Sequence, residues 1–245
     1  MNKALYVGLD VHKDMIAVAV AEDGRGGEIR FHGTIVNSAD AVLRLTKTLA
    51  KNGHTPSFCY EAGPCGYGIH RHLIRLGFEC AVVSPSLIPR KSGDRIKTDR
   101  RDAEMLARLW RAGELTPIWT PDEEQEAMRD LTRARGDMKA QERKARQQLN
   151  AFVLRHGHAW PAGKRRWTEA HYTWLESLKF THDWQQVVLQ EYVDAVRAAA
   201  RRVADLRAQM ERALAQWSLA PVVEALVALR GIDTLAAMVL LAELG

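Results

Sequence analysis

The run Leu5-Tyr6-Val7-Gly8-Leu9-Asp10-Val11-His12-Lys13-Asp14-Met15-Ile16-Ala17-Val18-Ala19-Val20-Ala21 is the most informative part of this 245-residue chain. Leu5, Val7, Leu9 and Val11 alternate with Tyr6, Gly8 and Asp10, which is the period-two pattern of a strand. His12-Lys13-Asp14 turns the chain into a second strand over 15–21. Gly24, Gly26 and Gly27 then supply a hairpin to a third strand over 28–36. Ser38 is placed to cap a helix reaching residue 51. Beyond it come a strand over 57–61 broken by Gly63-Pro64, a helix over 67–76, a strand over 79–84 closed by Pro85, and a helix over 100–111. Three strands joined by hairpins and followed by helical crossovers predict a mixed sheet covered by helices.

That strand order is ribonuclease H-like, and it occupies residues 1–120. After residue 121 no strand pattern returns. Met128, Leu131, Met138, Ala145, Leu149 and Phe152 keep helical spacing, with Lys and Arg on the other faces. Leu189, Tyr192, Val196, Ala199, Val203, Leu206, Met210, Ala213 and Trp217 alternate steps of three and four without a slip. Such a register predicts a coiled coil or antiparallel helical stalk over 121–220, with self-association through the 189–217 seam. Pro221 separates a last segment, 221–245, whose helix over 234–244 is expected to leave its apolar face poorly covered.

The charge pattern points to a polyanionic partner. The chain has 35 Lys plus Arg against 30 Asp plus Glu, a formal charge of +5. The excess is mild, so its placement matters more than its sum. Arg90, Lys91, Arg95, Lys97, Arg100 and Arg101 form one cluster, Arg129, Arg133, Arg135, Lys139, Arg143, Lys144 and Arg146 a second, and Lys164-Arg165-Arg166 a third. Any one run reads as a solvated face; three together favour nucleic acid. The candidate phosphate contacts are Lys13, Arg95, Lys97, Arg100, Arg101, Arg133, Lys139 and Arg143. Cys59, Cys65 and Cys80 are odd in number and lack metal-type spacing, which fits a reducing cytoplasm. The amino terminus carries no signal-peptide pattern, and the apolar run at 235–244 is too short to cross a membrane.

Four acids carry the chemistry. Asp10, Glu61, Asp99 and Asp102 each lie where an apolar strand ends or a helix begins. Carboxylates gathered at one sheet edge repel one another unless a hard divalent cation joins them. Each acid has a plainer reading alone: Asp10 opens a turn, Glu61 is a strand-end charge, and Asp99 caps the helix that follows with Asp102 near its third position. His12 and Lys13 adjoin Asp10 and read as a solvated turn. His70 and His72 fall on different helix faces, His156 and His158 lack partners at metal spacing, and Trp160, Trp167 and Trp174 read as packing residues.

Gly-Leu-Asp-Val-His-Lys (8–13), Tyr-Glu-Ala-Gly-Pro-Cys-Gly-Tyr (60–67) and Lys-Thr-Asp-Arg-Arg-Asp-Ala (97–103), in that order, resemble the amino-terminal domain of the bacterial insertion-sequence "one-ten" transposases. These are DEDD recombinases related to the pilin-gene invertase. The resemblance implies a RuvC-like α/β domain in which Asp10, Glu61, Asp99 and Asp102 are the catalytic carboxylates and hold Mg²⁺ or Mn²⁺. It further implies DNA as substrate, a structured guide RNA as partner and a homo-oligomer as the working assembly. Residues 229–245 are similar to the helix-hairpin-helix opening of that family's carboxy-terminal transposase domain, and the family's nucleophilic serine is expected beyond Gly245.

Two other classes compete. Actin-like ATPases share the strand order and open with an Asp after a similar strand, but Val11-His12-Lys13 is too bulky for their first phosphate loop. A non-catalytic DNA- or RNA-binding fragment is the second alternative.

Overall fold

The computed structural model describes residues 3–24, 26–89 and 98–245. Arg90, Lys91, Arg95 and Lys97 therefore lie outside the described residues. The chain divides into two compact units, Met1–Asp122 and Glu123–Gly245.

The first unit is a ribonuclease H-like α/β fold. Strands β1 (Lys3–Val11), β2 (Met15–Glu22), β3 (Ile29–Val36), β4 (His54–Glu61) and β5 (Cys80–Val83) form one sheet in the order β3-β2-β1-β4-β5. β1–β2 and β2–β3 pair antiparallel; β1–β4 and β4–β5 pair parallel. Helices α1 (Ala39–Leu49), α2 (Gly68–Arg75) and α3 (Asp99–Ala112) complete the unit.

Strand alternation sends Leu5, Val7 and Leu9 to one face, where they pack with Ile16, Val18, Phe58 and Tyr60 against Val42, Leu45 and Leu49 of α1 and Leu73 of α2. Tyr6, Gly8 and Asp10 take the other face, which α3 covers. That second interface is built from small side chains: Ala17, Ala19 and Ala21 of β2 meet Ala103 and Ala107 of α3. Gly8 is the point of closest approach. A Cβ there would lie 2.3 Å from the Ala103 carbonyl oxygen and 2.4 Å from the Ala107 nitrogen. Only a residue without a side chain lets this helix lie directly on the central strand.

α3 starts and stops on local signals. The Thr98 hydroxyl accepts a hydrogen bond from the Arg101 N–H at 3.3 Å, so Thr98 is the cap, and Asp99, the cap in its plainer reading, is the first helical residue. Gly113, at φ 69°, closes the helix in the left-handed conformation.

The second unit is helical: α4 (Glu123–Arg155), α5 (Glu169–Ser177), α6 (Asp183–Leu214), α7 (Ala220–Val227) and α8 (Thr234–Leu244). α4 and α6 run antiparallel. Ala145, Leu149, Phe152 and Val153 from the end of α4 pack on Leu189, Val193 and Val196 from the start of α6. Met128, near the start of α4, meets Met210 and Trp217. The heptad register thus builds the expected helical stalk, but α4 covers its seam within the chain. Leu189, Val196, Met210 and Trp217 are buried there, while Tyr192, Ala199, Val203 and Leu206 are half-buried. α4 belongs to the same chain, tied to α6 through residues 156–182, and so meets this stripe at high effective concentration.

The expectation for α8 needs correction. Ala237, Met238, Leu241 and Ala242 are buried in the cluster that holds Met128 and Val223, while Val239, Leu240 and Leu244 stay exposed. Arg129, itself buried, donates from Nε to the Ala242 carbonyl and from Nη2 to the Glu243 carbonyl, both at 2.9 Å. Two carbonyls that the helix end leaves without intrahelical partners are met in this way. Among the described residues no helix is long and apolar enough to cross a membrane.

Candidate metal centre

The centre lies at the carboxyl ends of the parallel strands, where open α/β sheets usually bind their ligands. β1 delivers Asp10 at its penultimate position, on the face covered by α3. Gly8 pairs with Cys59 and Leu9 with Tyr60 on parallel β4, so Glu61 is the next residue along, beside Asp10. Alternation puts Glu61 on the α3 face too, with Cys59, whose thiol donates to the Leu106 carbonyl at 3.6 Å, and Ser57, which accepts from Trp110 Nε1 at 2.8 Å. The turn after β4 is tied back by the Tyr60 hydroxyl donating to the Gly66 carbonyl at 3.1 Å and by Cys65 Sγ, 3.9 Å from the Val11 carbonyl. The second motif is thereby docked on the strand end that carries the first.

α3 supplies the rest. Asp99, Asp102, Ala103, Leu106, Ala107 and Trp110 recur at helical spacing on one face. The residues that seat the helix therefore also aim its first-turn acids at the strand end. Asp10 Oδ2 lies 3.1 Å from His12 Nε2, and the same nitrogen lies 3.5 Å from Asp99 Oδ1. Asp10, His12 and Asp99 each offer a ligand atom within 4.8 Å of the others, the one such group among the described residues. Burial pushes the Asp10 carboxyl above its ordinary value; the charge and hydrogen bond of His12 oppose this, and the charges of Asp102 and Asp99 reinforce it. Asp102 is thus within electrostatic reach of Asp10. Glu61 is its neighbour by register but stands outside the tight group.

This donor set fits a divalent cation. Two carboxylates and an imidazole converge, one carboxylate is mostly buried at 18% exposure, and burial, with a smaller contribution from the neighbouring acids, raises it, the condition a bound ion relieves. His12, which the sequence by itself places in a solvated turn, is the third member. Its signal was present in the Asp-Val-His spacing: residues two apart at a strand end share a face.

The predicted phosphate contacts divide. Lys13 is exposed on the β1–β2 turn, and Arg100 and Arg101 are exposed in the first turn of α3. Arg100 Nε donates to Glu104 at 2.8 Å and its guanidinium stands 5.4 Å from the Phe31 ring centre. Arg95 and Lys97 fall outside the described residues. Arg143 is exposed on α4. Arg133 forks onto the Glu243 carboxylate with two 2.7 Å bonds, and Lys139 pairs with Glu142 at 2.6 Å. Arg133 and Lys139 therefore already serve as structural partners.

A family model described as a transposase, of the DEDD type of IS110, matches residues 7–157. A Sinorhizobium fredii protein named "Putative transposase y4qE" is 50% identical over 240 residues, which cover 98% of this chain and 58% of that protein. The transposase for insertion sequence element IS1533 of Leptospira borgpetersenii is 34% identical over 246 residues, 99% of this chain and 70% of its own length. The transposase for IS1328 of Yersinia enterocolitica is 27% identical over 167 residues, 66% of this chain and 46% of that protein.

Proposed function

The chain belongs to the DEDD transposase family of IS110, and from that premise we propose that Asp10, Glu61, Asp99 and Asp102 hold Mg²⁺ or Mn²⁺ for DNA strand cleavage and transfer. The observation that carries this reading is the meeting of Asp10, Asp99 and His12 within 4.8 Å at the sheet edge, with Asp102 close enough to raise Asp10.

A divalent ion held by these residues would supply polarisation of the scissile phosphodiester and stabilisation of charge on its oxygens. The chain's own residues orient that chemistry. Asp10 is fixed by a central strand and Asp99 and Asp102 by the start of a seated helix, so the ligands hold their positions without a large ordering cost. Lys13, Arg100 and Arg101 are exposed on the turn and the helix start that carry His12 and Asp99, which supports them as contacts for a DNA backbone. Family membership supports a structured guide RNA as the reader of target sequence. It also supports a serine hydroxyl, outside these 245 residues, as the attacking group. The chain spans 58% of the length of the y4qE relative.

The test pairs Mn²⁺ titration of the 245-residue chain with Mg²⁺-dependent DNA cleavage by the same sequence extended to the length of its relatives. Asp10→Asn and Asp102→Asn are each expected to weaken Mn²⁺ binding by about 10- to 100-fold and to abolish cleavage. Cleavage that survives both substitutions would falsify the carboxylate centre.

A further inference from the structure

Resting on the metal-centre reading, we propose that His12 is itself a ligand of the ion. Its nitrogen would raise the preference for first-row transition ions over Mg²⁺.

The placement of the ring is built, not incidental. His12 follows the last residue of β1, and strand alternation turns its side chain to the side of Asp10. Its backbone is held at both ends: the N–H donates to the Met15 carbonyl at 2.9 Å, and its carbonyl accepts from Asn37 Nδ2 at 2.8 Å. Asn37 is in turn fixed by its own N–H on the Asp14 carbonyl at 2.9 Å. The imidazole is thus presented from a hairpin anchored on three sides.

The distances match ligand spacing. Atoms at right angles around an ion with bonds of about 2.1–2.2 Å stand about 3.0 Å apart. His12 Nε2 is 3.1 Å from Asp10 Oδ2 and 3.5 Å from Asp99 Oδ1, close to one ligand edge from each. A histidine serving only to contact phosphate would turn Nε2 toward solvent. Here the ring is 55% exposed, yet its Nε2 faces two carboxylates. Imidazole is a good donor for transition ions, whereas Mg²⁺ favours oxygen and retains water, so a nitrogen in this shell discriminates between them.

The experiment loads the 245-residue chain with Mn²⁺ and records pulsed electron paramagnetic resonance. The expected result is the ¹⁴N coupling of a directly bound imidazole in the wild type. In His12→Gln that coupling is lost while Mn²⁺ remains bound, and the ratio of Mn²⁺ to Mg²⁺ affinity falls by about 10-fold. Bound Mn²⁺ without ¹⁴N coupling in the wild type, or coupling that persists in His12→Gln, overturns the proposal and leaves the carboxylate centre standing. Mn²⁺ binding that is absent, or indifferent to Asp10→Asn, overturns the centre and the proposal together.

Discussion

Gly8 and Asp10, two residues apart on one strand face, show how packing and chemistry share a cause. Gly8 has no side chain, so α3 sits against β1; because α3 sits there, Asp99 and Asp102 reach Asp10. Gly8→Ala would put a methyl 2.3 Å from a backbone oxygen and 2.4 Å from a backbone nitrogen, atoms that no rotamer change can move aside. The expected cost is about 2 kcal/mol or more, read by denaturant unfolding. Mn²⁺ affinity should fall along with it, although no ligand has been changed. An alanine variant with wild-type stability and wild-type affinity would show that the helix does not depend on this contact.

Among the elements, α8 depends most on a single group of side chains. Arg129 binds the carbonyls at its carboxyl end, and Arg133 forks onto the Glu243 carboxylate. The hydrogen bond from Arg133 is the main reason the Glu243 carboxyl lies below its ordinary range; the charges of Arg133 and Arg129 add to it and burial opposes it. A depressed carboxyl stabilises the folded state fully above the unfolded glutamate value of about 4.3, and loses that contribution as the pH falls through the lower folded value. Chain stability should therefore drop on acidification through that window, and Glu243→Gln should flatten this part of the profile. The carboxylate is 38% exposed, so the loss at neutral pH is expected to stay below about 1 kcal/mol. Identical pH profiles for the two proteins would remove Glu243 from the account.

Each of the two units has its own core. The clusters around Leu5, Cys59 and Ala17 draw only on the first unit, and those around Leu149 and Met210 only on the second. All the proposed metal ligands lie in the first. Residues 1–122 alone are accordingly expected to fold cooperatively and to bind Mn²⁺ within a few-fold of the full chain, measured by thermal melting and titration. A fragment that stays unfolded, or folds without binding the ion, would show that the helical unit is needed for the site.

Much of this was legible from residue order. Period-two alternation over 5–21 and its hairpin residues specify three antiparallel strands, and the later crossovers specify parallel ones, because the pleat repeats every two residues and helices every 3.6. Asp10 and Asp99, which the structure brings beside His12, fall at element ends, a position that residue order already marks. Three features needed the folded chain. The partner of the 189–217 seam is α4, since a heptad stripe states that something must cover it but not what. Thr98 caps α3 rather than Asp99, since both residue types favour that position and the backbone selects between them. His12 joins Asp10 and Asp99, and Glu61 and Asp102 stand outside their tight group, because side-chain convergence depends on how closely α3 approaches β1. The Asp-Val-His spacing puts His12 on the side of Asp10, but the approach that brings Asp99 to them is a property of the Gly8 contact in three dimensions.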